Sequence, residues 1–115
     1  MKTEKVQVES GKLVRLEFTH FQVFACGGVD TCSCDYVKIT DGDGTTLMEN
    51  SCGDSSKDPS DPIYFMPPII TTRSNKVDIF FRTIDFLVNI GWSLSWTSIT
   101  PGLKALAYLI SDIFD

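Results

Sequence analysis

Apolar and polar residues alternate in short runs along most of this chain, and clusters of Gly, Pro, Asp, Asn and Ser separate the runs. A period of two puts every second side chain on one face of an extended segment, so each run reads as a half-buried strand. Residues 5–9 give the first, closed by the turn Ser10-Gly11-Lys12. In residues 13–18, Val14, Leu16 and Phe18 point inward and Arg15 and Glu17 outward. Residues 19–28, with Phe21 and Phe24, read as a loop. A strand follows with Val37 and Ile39 on one face and Tyr36 and Lys38 on the other. Asp41-Gly-Asp-Gly44 then supplies a hairpin turn, and 45–49 is the return strand.

The breaker-rich stretch 53–62 cannot pair in a sheet and reads as a surface loop. Short strands are expected at 63–66, ended by Pro67-Pro68, and at 69–73, closed by Ser74-Asn75. Residues 76–82 place Val77, Ile79 and Phe81 inward, 83–90 form a loop, and 91–98 set Trp92, Leu94 and Trp96 on one inward face. Such strands at near-regular spacing predict an all-β fold, an antiparallel, jelly-roll-like sandwich. From Thr100-Pro101 the period changes. Leu103, Leu106, Leu109, Ile110, Ile113 and Phe114 follow helical spacing, with Thr100 as cap and Pro101 in the first turn. The expected division is a sandwich over 1–99 and an amphipathic helix or tail over 100–115 that must dock to be stable.

Composition adds a compartment. Four cysteines lie within residues 26–52, while the whole chain has a single histidine. Their spacing fits no four-cysteine zinc pattern, so two disulfides formed outside the cytosol are the better reading. A bridge from Cys32 or Cys34 to Cys52 would staple the central hairpin, but spacing does not choose among the possible pairings. The net charge of −5 excludes the basic footprint that nucleic acid requires and gives no attraction to anionic membranes. No apolar run reaches transmembrane length, and the charged first residues lead into no apolar segment, so a mature secreted chain or a trimmed piece of one is expected.

The order of motifs resembles the CUB domain, an extracellular β-sandwich module. The carrying residues are Leu16-Glu-Phe-Thr-His-Phe21, then Cys32-Ser-Cys-Asp-Tyr-Val-Lys-Ile-Thr-Asp-Gly42, then Cys52-Gly53. Thr72-Arg-Ser-Asn-Lys-Val-Asp-Ile-Phe-Phe81, Asp85 and Gly91-Trp92 complete the series, which spans about residues 4–98. The resemblance implies a bridge between Cys32 and Cys52. Cys26 and Cys34 are extra to the family pattern and are left as a local pair, with Cys34–Cys52 and Cys26–Cys32 as the alternative. The family's N-terminal disulfide region has no counterpart, which implies a sheet edge in need of cover.

Many members of that family bind calcium at one end of the sandwich through three acids. Asp35 and Asp85 match two of those positions; the third falls near Phe24, leaving Asp30 as the nearby substitute. Calcium needs converging oxygen ligands, so this set is incomplete without Asp30. Asp41-Gly-Asp-Gly44 lacks the further acids of a calcium loop and stays a turn. At the same end the expected loops are apolar: Phe24, Phe86, Leu87, Val88 and Ile90 would form a contact patch. Membrane insertion of these loops is disfavoured by the acidic charge. His20 has no nucleophile or acid at triad spacing, and Asn50-Ser-Cys52 is only the rare form of a glycosylation sequon.

The resulting expectation is a non-catalytic extracellular module that presents end loops to a protein partner or to copies of itself. The alternatives are a calcium-dependent receptor-type module, an accessory domain of a secreted protease, and a glycan-binding sandwich stacking sugars on Tyr36, Tyr64 or Trp92.

Overall fold

In the computed structural model, residues 2–83 and 91–101 are described. They form eight strands: β1 (Lys2–Gln7), β2 (Leu13–Val23), β3 (Tyr36–Asp41), β4 (Thr46–Ser51), β5 (Gly53–Asp54), β6 (Ile70–Thr71), β7 (Lys76–Arg82) and β8 (Gly91–Ile99). One sheet has the order β1-β7-β3-β4. The other is built on β2, which pairs β8 along one edge and both β5 and β6 along the opposite edge. Every strand pair is antiparallel. The helix expected from residue 103 onward lies outside the described residues.

The core lies between the sheets. Val14, Leu16, Phe18, Phe21 and Val23 of β2 meet Val37 and Ile39 of β3 and Val77 and Ile79 of β7, all buried. Trp92 packs edge-on against Phe18 of its own sheet and Phe81 of the facing one, with ring centroids 5.9 and 6.1 Å away. Trp92 is thus half-buried against core aromatics, which disfavours it as a free-standing platform for sugar stacking.

β2 continues to Val23, five residues beyond the expected end at Phe18. The register against β8 shifts between Phe18 and His20, as a β-bulge does. Inward positions therefore change from even (Val14, Leu16, Phe18) to odd (Phe21, Val23), and Thr19 and His20 are both exposed. A reading by strict alternation stops where the bulge breaks the period.

Three further expectations are corrected. Gly53 and Asp54, expected in a surface loop that cannot pair, form β5 against Val23 and Gln22 of β2. Residues 63–66 form no strand; Tyr64 makes only an isolated bridge to Asp54, because Pro62 and Pro67-Pro68 close the segment at both ends. The strand expected at 69–73 shortens to Ile70–Thr71. Past it, the backbone turns to exchange hydrogen bonds with β2 through Thr72: its N–H donates to Val14 O (2.9 Å), and Val14 N–H donates to Thr72 Oγ1 (2.8 Å).

The hairpin turn after β3 is closed by Gly44 N–H donating to Asp41 O at 2.9 Å, with Gly44 at φ +91°. Asp41 itself is buried and accepts from Arg73 N–H (2.6 Å) and the Ser74 hydroxyl, tying the turn to the loop before β7.

Leu16 is fully buried at the centre of this packing. Leu16→Ala is expected to cost about 2–5 kcal/mol of unfolding free energy, because β2 is held on both edges and the cavity cannot collapse. Urea denaturation of the oxidised protein measures it; a loss under about 1 kcal/mol would contradict this packing.

Candidate protein-binding site

At the end of the sandwich where β2 finishes, the chain runs Val23-Phe24-Ala25-Cys26 into a loop that returns at Cys34-Asp35 to start β3. Two disulfides hold this end. Cys26 pairs with Cys34, Cα atoms 5.9 Å apart, and closes the loop on itself. Cys32 pairs with Cys52, Cα atoms 5.5 Å apart, and joins the approach to β3 to the residue after β4. Cys32 and Cys52 are buried, so this second bridge is also part of the core. No described cysteine is free.

Gly53 follows that bridge with φ +130°, a backbone geometry that L side chains rarely adopt. A Cβ here would lie 2.6 Å from Phe65 Cβ and 2.9 Å from Ile63 O. Absence of a side chain thus lets residues 63–65 lie directly on the β5 backbone. Asp54 N–H donates to Ile63 O at 2.8 Å, and Gly53 itself pairs with Val23. Phe65 packs edge-on against Phe21, ring centroids 5.5 Å apart. Cys52-Gly53 is therefore one unit: the bridge fixes where the chain turns, and the glycine lets the next loop dock.

The docked loop makes one wall of a shallow cleft of about 150 Å³, lined by Gln22, Val23, Phe24, Ala25, Gly53, Asp54 and Ile63. Phe24 is 48% exposed and Ile63 36% exposed, so two large apolar side chains face solvent beside a rigid, largely apolar floor. Of the two, Phe24 belongs to the contact patch expected from the sequence, whereas Ile63 falls in the strand expected at 63–66. The signal available was the string Ile63-Tyr-Phe-Met-Pro-Pro-Ile69, too apolar for a solvated loop and too Pro-bounded for a strand.

Asp54, buried on the cleft floor, accepts from Ser56 N–H (2.9 Å) and the Ser56 hydroxyl (2.5 Å). The hydroxyl bond, then the backbone bond, Lys57 and His20 hold its carboxyl below the ordinary value of 3.8, against the opposing effect of burial. Asp35 is fully buried at the start of β3 and accepts from the Thr83 hydroxyl at 3.1 Å. Asp30 lies exposed on the Cys26–Cys34 loop. Asp85, Phe86, Leu87, Val88 and Ile90 lie outside the described residues. Among the described residues, no three Asp, Glu, His or Cys side chains converge as a cation site requires. The described acids alone therefore do not make up a calcium set.

Three measurements check this account. Replacing Cys32 and Cys52 together by Ser frees a loop of sequence separation 20 and is expected to cost about 3 kcal/mol, from restored chain entropy in the unfolded state. Gly53→Ala is expected to destabilise the fold and raise amide exchange at Asp54, where the loop hydrogen bond is made; unchanged exchange would contradict the contact. The folded pKa of Asp54 lies below its unfolded value, so its contribution is complete above pH 3.8 and is lost as pH falls through the folded value. Asp54→Asn should therefore flatten the acid limb of the stability–pH curve below pH 3.8.

Comparison with known proteins agrees with this architecture. Residues 4–96 match the CUB domain family profile. The chain is similar to cubilin of Rattus norvegicus, 30% identical over 112 residues, covering 97% of this chain but only 3% of cubilin. It superposes on the CUB1-EGF-CUB2 domain of human MASP-1/3 with a TM-score of 0.69 at 22% identity, covering 92% of this chain and 38% of that one. The first shows a local relationship to a small part of a very long protein; the second shows a shared fold. With the Cys52-Gly53 unit, buried Asp35 at the entry to β3 and the two packed sheets in place, the family match across residues 4–96 is decisive: the chain belongs to the CUB domain family.

Proposed function

We propose that this chain is a non-catalytic extracellular binding module that holds a protein partner at the end of the sandwich bearing Phe24. The carrying observation is the pair of exposed apolar side chains, Phe24 and Ile63, on a cleft whose floor cannot rearrange because Gly53 and the Cys32–Cys52 bridge fix it. Rigid placement of exposed apolar groups lowers the ordering cost of binding, and apolar anchors in a rigid pocket are where interface energy concentrates. Loops fixed on a stiff sandwich are the usual place for such contacts.

Support for the absence of catalysis is chemical. The only histidine, His20, is exposed on β2, and the described cysteines are all bridged, so neither a thiol nucleophile nor a buried imidazole is at hand among the described residues. Two disulfides fit an oxidising compartment, which supports the secreted or extracellular assignment. The step from family to function is by analogy, since one fold serves many partners. A calcium-dependent mode is not favoured by the described side chains, of which only Asp35 combines full burial with the expected position.

The test is a binding screen of the immobilised protein against a panel of extracellular domains, repeated with chelator and with two variants. For a partner of the proposed site, Phe24→Asp is expected to weaken binding at least tenfold with the melting temperature retained, while Ile69→Asp, exposed elsewhere, leaves it unchanged. Binding that ignores Phe24→Asp would remove this site. Binding abolished by chelator in the unchanged protein would move the assignment to a cation held at Asp35.

A further inference from the structure

The two sheets end on the same side of the sandwich in edge strands of opposite character. β1 carries Lys2, Glu4 and Lys5 within six residues, and charged side chains guard an edge against pairing with another chain. β8 reads Gly-Trp-Ser-Leu-Ser-Trp-Thr-Ser-Ile: nine residues with neither a charge nor a proline. Among the described residues its one strand partner is β2, so its outer row of N–H and C=O groups faces away from the sheet. Between the two edges runs a cleft of about 480 Å³, lined by Lys2 and Glu4 on one lip and by Phe81, Trp92 and Leu94 within.

Trp96 marks the same side. It pairs with fully buried Leu16 and so stands on the inner face of its sheet, as sequence alternation requires, yet it is 48% exposed. The expectation of a buried Trp96 fails because the facing sheet does not reach over it. An inward-facing tryptophan at the margin of an open cleft, on an unguarded strand, is a surface built to be covered.

We propose that a second copy of this chain covers it, through antiparallel pairing of β8 with β8 about a two-fold axis. Electrostatics favour a second copy. A chain of net charge −5 repels itself over most approaches, and β8 is an edge where no carboxylate meets another. An antiparallel strand is also self-complementary under two-fold symmetry, as an isologous dimer requires. Pairing all nine residues centres the axis on Ser95 and sets Trp96 of each copy opposite Leu94 of the other. Because these residues share the inner face, each tryptophan then lies over the partner's open cleft. This inference does not depend on the Phe24 cleft.

The experiment is light scattering behind a sizing column across a concentration series, on the full oxidised chain. The expected result is a concentration-dependent species at twice the 12.8 kDa of one chain. Ser95 lies on the outer face beside Glu17, so Ser95→Lys gains a neighbour of opposite charge within its own sheet and is expected to fold. In the dimer it puts two lysines face to face across the axis. Ser95→Lys and Ser95→Glu should each be monomeric alone, and an equimolar mixture should restore the dimer. A wild-type protein that stays monomeric at high micromolar concentration overturns the proposal and leaves Trp96 to some other cover. A dimer indifferent to Ser95→Lys, or one lost only in Phe24→Asp, overturns it as well.

Discussion

Burial of one face of β2 is the constraint on which the rest of this structure depends. Five of its side chains, Val14, Leu16, Phe18, Phe21 and Val23, are buried, and fully burying side chains of this size contributes about 1.5–3 kcal/mol each. The same strand makes every pairing of its sheet, with β8 on one edge and β5 and β6 on the other. A change that turned β2 over would expose this apolar row and break the sheet together. The bulge between Phe18 and His20 lets one strand satisfy both demands over its length: it absorbs an extra residue and returns Phe21 and Val23 to the core.

The two ends of the sandwich are held by different chemistry. At the hairpin end, buried Asp41 collects hydrogen bonds from Arg73 and Ser74, and Arg73 also reaches Asp43 at 3.2 Å and Thr45 at 2.6 Å. This end is polar and closed. At the other end the fastening is covalent, through Cys26–Cys34 and Cys32–Cys52, and the polar groups that remain are largely occupied within the fold. Disulfides fix loops without needing polar side chains to do it, which leaves Phe24 and Ile63 free to face outward. The apolar exposure at the bridged end follows from that division.

A similar contrast separates the two edges on the open side. Lysine and glutamate on β1 make it a poor template for another strand, whereas β8 offers only hydroxyls, glycine, two aliphatics and two tryptophans. Between them, the Phe81–Trp92–Phe18 contacts close the core just inside the cleft, so the sandwich is sealed while the β8 side of its rim carries no charge. The bridged end and the β8 edge are therefore distinct surfaces, one presenting side chains and the other presenting backbone.

By itself the sequence determined the class of fold, because alternation is a local property. Val14, Leu16, Phe18, Val37, Ile39, Val77 and Ile79 were all assignable to the interior from period and parity. Composition likewise determined that the cysteines staple the molecule, though not which partner each takes; that depended on which loops meet. Tertiary structure alone decided the rest. The bulge in β2 breaks the very period from which a strand is read. Residues 63–66 have strand composition, but proline on both sides and the close approach at Gly53 make them a docked loop. Trp96 has the parity of a core residue and lies exposed because the opposite sheet stops short, and where a sheet stops is set by the packing of distant segments.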